Sequence, residues 1–307
     1  MIETAVRMNG ESVEQHVRAE LARGDAMAAT VQPVLRHMLG HDRTAILNDE
    51  IMARIRGMLS YLVQQLLASG GSAGNRRGVE DSLAQALAEN ARVLAHLHAS
   101  ALEWQLAEWL EQHYAIDPVV PPLLQALIAS PEPDTQDLAM KLLAAQARWG
   151  QTQRRMQLSL AELPGELFHQ ALLTARSVAG DAFQDGEARL RAGYDEAATR
   201  LALAARLVLS MGNAASVALD VRHGGSALFA TALALGSSQT REQAIFSAHE
   251  GQGIRLALGL RSAGLAPGIV EQQLLLLHGD AALPAGFERL NAERTAALLT
   301  ETADARR

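Results

Sequence analysis

A chain of 307 residues with 49% hydrophobic and 20% charged side chains is long enough to bury one or two substantial cores, and it lies far from the composition of a disordered protein. Its net charge of −7 argues against a nucleic-acid coat, which needs clustered cations, and the absence of cysteine excludes disulfides, thiolate nucleophiles and Cys-ligated zinc. Aromatic residues are 4% while roughly a third of the chain is Ala or Leu, both strong helix formers, so helix is the expectation throughout.

The first fifteen residues, MIETAVRMNGESVEQ, carry acidic side chains and no apolar run, unlike a secretory signal, so a cytoplasmic location is expected. The longest uncharged stretches, 57–75 and 223–240, contain Gln, Ser and Gly throughout and are too polar to cross about 30 Å of hydrocarbon, so no membrane span is expected.

In chain order, Ser12 and Gln15 have capping-box spacing ahead of Val13, Val17 and Leu21, predicting an amphipathic helix that stops at Gly24. A second helical segment is expected over 25–39, with Pro33 kinking or restarting it. Ile51, Ile55, Leu59, Leu62 and Leu66 then form one apolar face. The run at 69–78, rich in Gly, Ser and Asn, reads as a linker, dividing an N-terminal helical segment, 1–70, from a helical array, 79–307, with a further division near 180. Residues 79–114 are predicted helical with a break near Ser100, whose spacing to Glu103 matches a capping box. Asp117-Pro118 is expected to open a short helix. A long helix is predicted over 134–158, another from Pro164-Gly165 to about Gly180, and another over 186–212. Asn213, Ser226, Ser238 and Pro267 each precede an apolar stretch, so short serial helices are expected to the end, in the manner of an α-solenoid.

Two segments, AMKLLAAQARWGQTQRRMQLSLAELPGELFHQALL at 139–173 and GGSALFATALALG with FSAHEGQGIRLALGLRSAGLAP over 224–267, resemble the alphaproteobacterial family catalogued as domain of unknown function 2336. The shared features are the small residues before Phe229, the turn at Gly251 and Gly253 ahead of 256–260, and the exit at 263–267. The resemblance implies an all-α, HEAT-like helical array and brings with it no reaction, cofactor or catalytic residue.

Chemistry-bearing patterns are sparse. His37, His41 and Asp42 could present two imidazoles and a carboxylate to a metal, as in a phosphohydrolase, although Gly40 places them at a helix end whose dipole welcomes imidazolium. Glu166 and His169 share a helix face, yet di-metal bundles need that motif twice and it occurs once. His96 and His98 diverge by about 200° on a helix and cannot share a metal. Gly251-x-Gly253 lacks a preceding strand, and neither a nucleophile elbow nor a phosphate-binding loop is present. No cofactor or catalytic residue is therefore expected.

What remains is a line of cations. Lys141, Arg148 and Arg155 recur every seven residues along one helix, with Arg154 beside them, opposite an apolar face of Leu138, Leu142, Ala145, Trp149 and Met156. Such a line suits an acidic partner helix or an anionic small molecule such as a nucleotide messenger; it also suits a plain solvated face. The helix over 48–68 offers a second partner surface, for homodimerisation, if its apolar stripe is not covered. The expectation is a non-enzymatic regulatory or scaffold protein of a bacterial cytosol, binding another protein through a groove between helices. Sensing of an anionic ligand is the alternative, and metal-dependent phosphohydrolysis a remote one.

Overall fold

The computed structural model describes residues 13–27, 29, 49–70, 76–249, 251–279 and 283–304, and among these the structure is helical without a strand. Two compact units emerge, one from Met1–Val31 with Met211–Arg307, the other from Gln32–Ser210. The glycine-rich run at 69–78 lies inside the second of these, and the helices on its two sides pack against each other.

The unit Gln32–Ser210 holds α2 (Asp49–Ser69), α3 (Arg76–Glu89), α4 (Ala91–Tyr114), α5 (Pro122–Ile128), α6 (Pro133–Arg154), α7 (Gly165–Ala179), α8 (Gln184–Gly193) and α9 (Arg200–Ser210). The Ile51, Ile55, Leu59, Leu62 and Leu66 stripe of α2 is buried, as its spacing demands, and α2 packs on α3, α4 and α8. That stripe is thus covered by its own unit. Gly57 lets α2 approach the chain leaving α6, since a Cβ there would stand 2.5 Å from the Met156 carbonyl oxygen. Gln65 fastens the same segment, donating to Leu158 O and accepting from Leu160 N, both at 3.1 Å.

Several helix boundaries differ from expectation for identifiable reasons. No break occurs near Ser100: α4 runs unbroken for 24 residues. The break falls at Asn90, whose side chain accepts from the Arg92 and Val93 amides at 3.0 and 3.2 Å. Asp117 does not open a helix, because its carboxylate accepts from Val119 N and Val120 N and closes a turn; α5 begins after Pro121. Helix α6 ends at Arg154 rather than 158, where Met156 takes a left-handed φ of 55° and Gln157 N turns back to Thr152 O. The helix expected over 186–212 divides after Gly193, where Asp195 caps a 3-10 turn by accepting from Ala197 N at 3.0 Å.

The other unit contains α1 (13–27), a 3-10 segment (Gly212–Leu219), α10 (Val221–Ser237), α11 (Arg241–Ser247), α12 (Gly253–Ser262), α13 (Pro267–His278) and α14 (Ala292–Asp304). Helix α10 is buried on nearly every side, with Gly225 at φ 63° breaking its first turn from the rest. Gly224 abuts the Ala218 carbonyl, which a Cβ would approach to 2.6 Å. Ser238 is not a helix start but the left-handed C-cap of α10, and α11 begins instead with a capping box between Thr240 and Gln243. Asn213 and Ser226 likewise fall inside elements rather than before them.

Helix α1 continues past Gly24 because that residue packs against Gln252, whose amide donates to Gly24 O at 3.0 Å. Arg255 pairs with Asp25, and Arg294 grips Glu14 at 2.5 and 2.7 Å, so α1 is joined to α12 and α14. The Arg294 hydrogen bond holds the Glu14 carboxyl below its ordinary range. Ser12 and the segment 31–48, with Pro33, His37, His41 and Asp42, lie outside the described residues.

Candidate functional site

Helix α6 opens after Pro131 and Glu132 with Pro133 in its first turn, where a missing amide costs nothing, and Asp134 adds an acid at the positive end of the dipole. Leu138, Ala139, Leu142, Ala145, Gln146, Trp149, Gly150 and Gln153 recur at helical spacing and are buried, largely against α5 and α9. That fixes the opposite face outward: Asp137, Met140, Lys141, Ala144, Arg148 and Gln151, with Arg155 following as C-cap.

The four cations singled out from the sequence are all exposed, but they are not alike. Lys141 donates to Asp137 at 2.5 Å, one turn earlier, and is neutralised by it. Arg154 leaves the line and lies 5.7 Å from the Trp104 ring centroid. Arg148 and Arg155 have no ion-pair partner among the described residues, and neither have Glu132 and Asp134 at the other end. The outward face therefore runs from acidic to basic along the helix, in the sense that its macrodipole favours. The line of Lys141, Arg148 and Arg155 expected from the sequence is on the surface, with Lys141 paired to Asp137. Met156, expected on the buried face, sits past the helix end and is only half-buried.

Beneath α6 lies a buried polar centre that sequence reasoning missed. Arg200 donates two hydrogen bonds to Glu103 at 2.6 and 2.9 Å and a third to Gln146 at 3.3 Å, and its guanidinium stacks 3.9 Å from the Trp149 ring centroid. Gln146 in turn donates to Pro118 O at 2.9 Å. Arg54 of α2 donates to Gln153 O at 2.8 Å and to Glu50, and it lies 5.6 Å from Trp104. These bonds pin α6 to α2, α4 and α9 and give its outward face a rigid backing. In the sequence Glu103 reads instead as the closing residue of a capping box opened by Ser100.

Glu166 and His169 each meet an arginine. Glu166 pairs with Arg92, and His169 Nδ1 accepts from Arg191 at 3.0 Å. His169 and Arg191 line an open depression of about 330 Å³ with Gly165, Phe168, Tyr194 and Glu196. Gly165 N donates to Glu196 at 3.0 Å, Tyr194 Oη donates to Leu163 O at 2.8 Å, and the Phe168 and Tyr194 rings stack at 4.0 Å. Burial, then the charges of Glu196, Asp195 and Glu162, push the Tyr194 phenol up to about 12, so it stays protonated and serves as a donor. Among the described residues no group of three or more His, Asp or Glu side chains could hold a metal ion, and no single helix is long and apolar enough to cross a membrane.

Comparison with protein-family models, with curated proteins and with solved structures returns no match to this chain.

Proposed function

We propose that the chain is a non-enzymatic interaction module whose docking surface is the outward face of α6. The observation that carries the reading is the pair Arg148 and Arg155: exposed, without ion-pair partners among the described residues, and mounted on a helix immobilised from behind. A rigid row of unsatisfied charge favours a partner helix of opposite charge by steering and register more than by area. The reading includes a regulatory role in a bacterial cytosol and a HEAT-like array of the family that the segments at 139–173 and 224–267 resemble. What supports the array is the run α10–α14, in which α10 packs on α11 and α12, and α12 packs on α11, α13 and α14.

The test uses a synthetic helical peptide with Glu at seven-residue spacing, followed by fluorescence anisotropy. Binding to the full chain should be saturable, should weaken with salt, and should disappear in Arg148→Glu/Arg155→Glu while helicity is unchanged. Peptide binding that ignores these two substitutions would move the surface elsewhere. A thermal shift with a nucleotide or cyclic dinucleotide, abolished by the same double variant, would instead favour the anionic-ligand reading.

A further inference from the structure

We propose that the partner fitting this face is a second copy of the chain, with the two α6 helices antiparallel across a two-fold axis near Ala144. The inference rests on the preceding reading and adds the identity of the occupant. It follows from the order of charges on the face. Toward the N-terminus stand Asp134 and Asp137, the latter shared with Lys141; toward the C-terminus stand Arg148 and Arg155. At about 1.5 Å per residue, Asp134 and Arg155 lie roughly 16 Å on either side of a point beside Ala144, and Asp137 and Arg148 roughly 11 and 5 Å. A two-fold rotation therefore carries the acidic half of one helix onto the basic half of the other, twice.

The centre of the face suits such a crossing. Met140, about half exposed, and the small Ala144 allow helix axes to approach to about 8–10 Å, while Lys141 near the axis already has its countercharge in Asp137. Parallel pairing would set acid on acid and base on base, so charge alone fixes the orientation. The same patch serves both copies, so the contact closes at a dimer instead of growing into a filament. The patch is one helix wide, and the dimer it makes should be weak and salt-sensitive.

Sedimentation velocity of the full chain tests the proposal. The wild-type chain should dimerise reversibly in the micromolar range at low salt and dissociate at high salt. Arg148→Glu/Arg155→Glu should be monomeric, and so should Asp134→Lys/Asp137→Lys, because each sets like charges together. Mixing the two variants should restore a dimer, since both ends of the hetero-pair are again complementary. All four positions are exposed, and circular dichroism checks that each variant stays folded. A wild-type chain that stays monomeric, a dimer indifferent to either double variant, or a mixture that fails to associate would each overturn self-pairing. If the wild type is monomeric yet binds the acidic peptide, only the choice of occupant is wrong; if it does neither, the docking reading falls with it.

Discussion

Glu103 and Arg200 meet across 97 positions of sequence with side chains 0% and 3% exposed, and their fate under mutation separates a buried pair from a surface one. Removing one partner leaves an uncompensated buried charge, so Glu103→Ala or Arg200→Ala should lower stability by about 3–5 kcal/mol in urea denaturation. Replacing both by apolar residues of similar size should recover most of the loss. Lys141→Ala, which breaks the exposed pair with Asp137, should cost no more than about 1 kcal/mol. The sequence could not announce this pair: Glu103 follows Ser100 at the spacing of a capping box, and only a partner far along the chain decides that it sits mid-helix instead. His249 offers a second residue-scale test. Burial, assisted by nearby His278, holds its imidazole below the ordinary 6.5, outweighing the hydrogen bond to Ile245 O. Below about pH 6.5 the unfolded chain therefore takes up a proton that the folded chain resists, so the stability contributed above that pH is lost progressively as pH falls. The thermal midpoint should drop between about pH 7.5 and 5.5, and His249→Gln should flatten that slope. An unchanged slope in the variant would assign the loss to other groups.

At the scale of single helices, periodicity was the strongest signal, and its failures came at ends. The α2 stripe and the core face of α6 were legible because burial at helical spacing leaves a pattern that no other element produces. Ends differ from expectation where a polar side chain has two roles open to it: Ser238 closes α10 instead of opening α11, and Asp117 makes a turn instead of a cap. The Asp137–Lys141 pairing, by contrast, was readable in principle, as an acid four residues before a base on a helix face. Gly57 shows how packing overrules propensity. In an isolated helix, Gly→Ala gains about 1 kcal/mol. In α2 the added Cβ would press on the Met156 backbone carbonyl, which cannot rotate away, and overpacking of that kind costs about 1–3 kcal/mol. Gly57→Ala should thus lower the thermal midpoint, while Gly268→Ala, with open space around it and no left-handed φ, should leave it unchanged or raise it slightly. A stabilised Gly57→Ala chain would mean that α2 can withdraw from the α6 exit at little cost.

The whole molecule is organised by a closure that no local pattern encodes. Its unit of α1 and α10–α14 draws on both ends of the chain, through Gln252 to Gly24, Arg255 to Asp25 and Arg294 to Glu14, whereas α2–α9 form a unit from one continuous stretch. Composition and linker signals favoured a cut at 69–78 because flexible residues are what a sequence can show; pairing of distant ends is not. The consequence is an asymmetry between fragments. Val13, Val17 and Leu21 of α1 are 7%, 0% and 1% exposed, and burying three such side chains is worth about 5–9 kcal/mol as an upper estimate. That is comparable to the entire stability of a typical domain, about 5–15 kcal/mol. A fragment of residues 32–210 should therefore melt cooperatively on its own, while 211–307 alone should lose its sharp transition and bind a hydrophobic dye. Adding a peptide of residues 1–31 should restore the transition in a concentration-dependent way, because α1 then binds only the folded form. If 211–307 melts sharply without that peptide, α1 is an accessory to a core that α10–α14 complete by themselves.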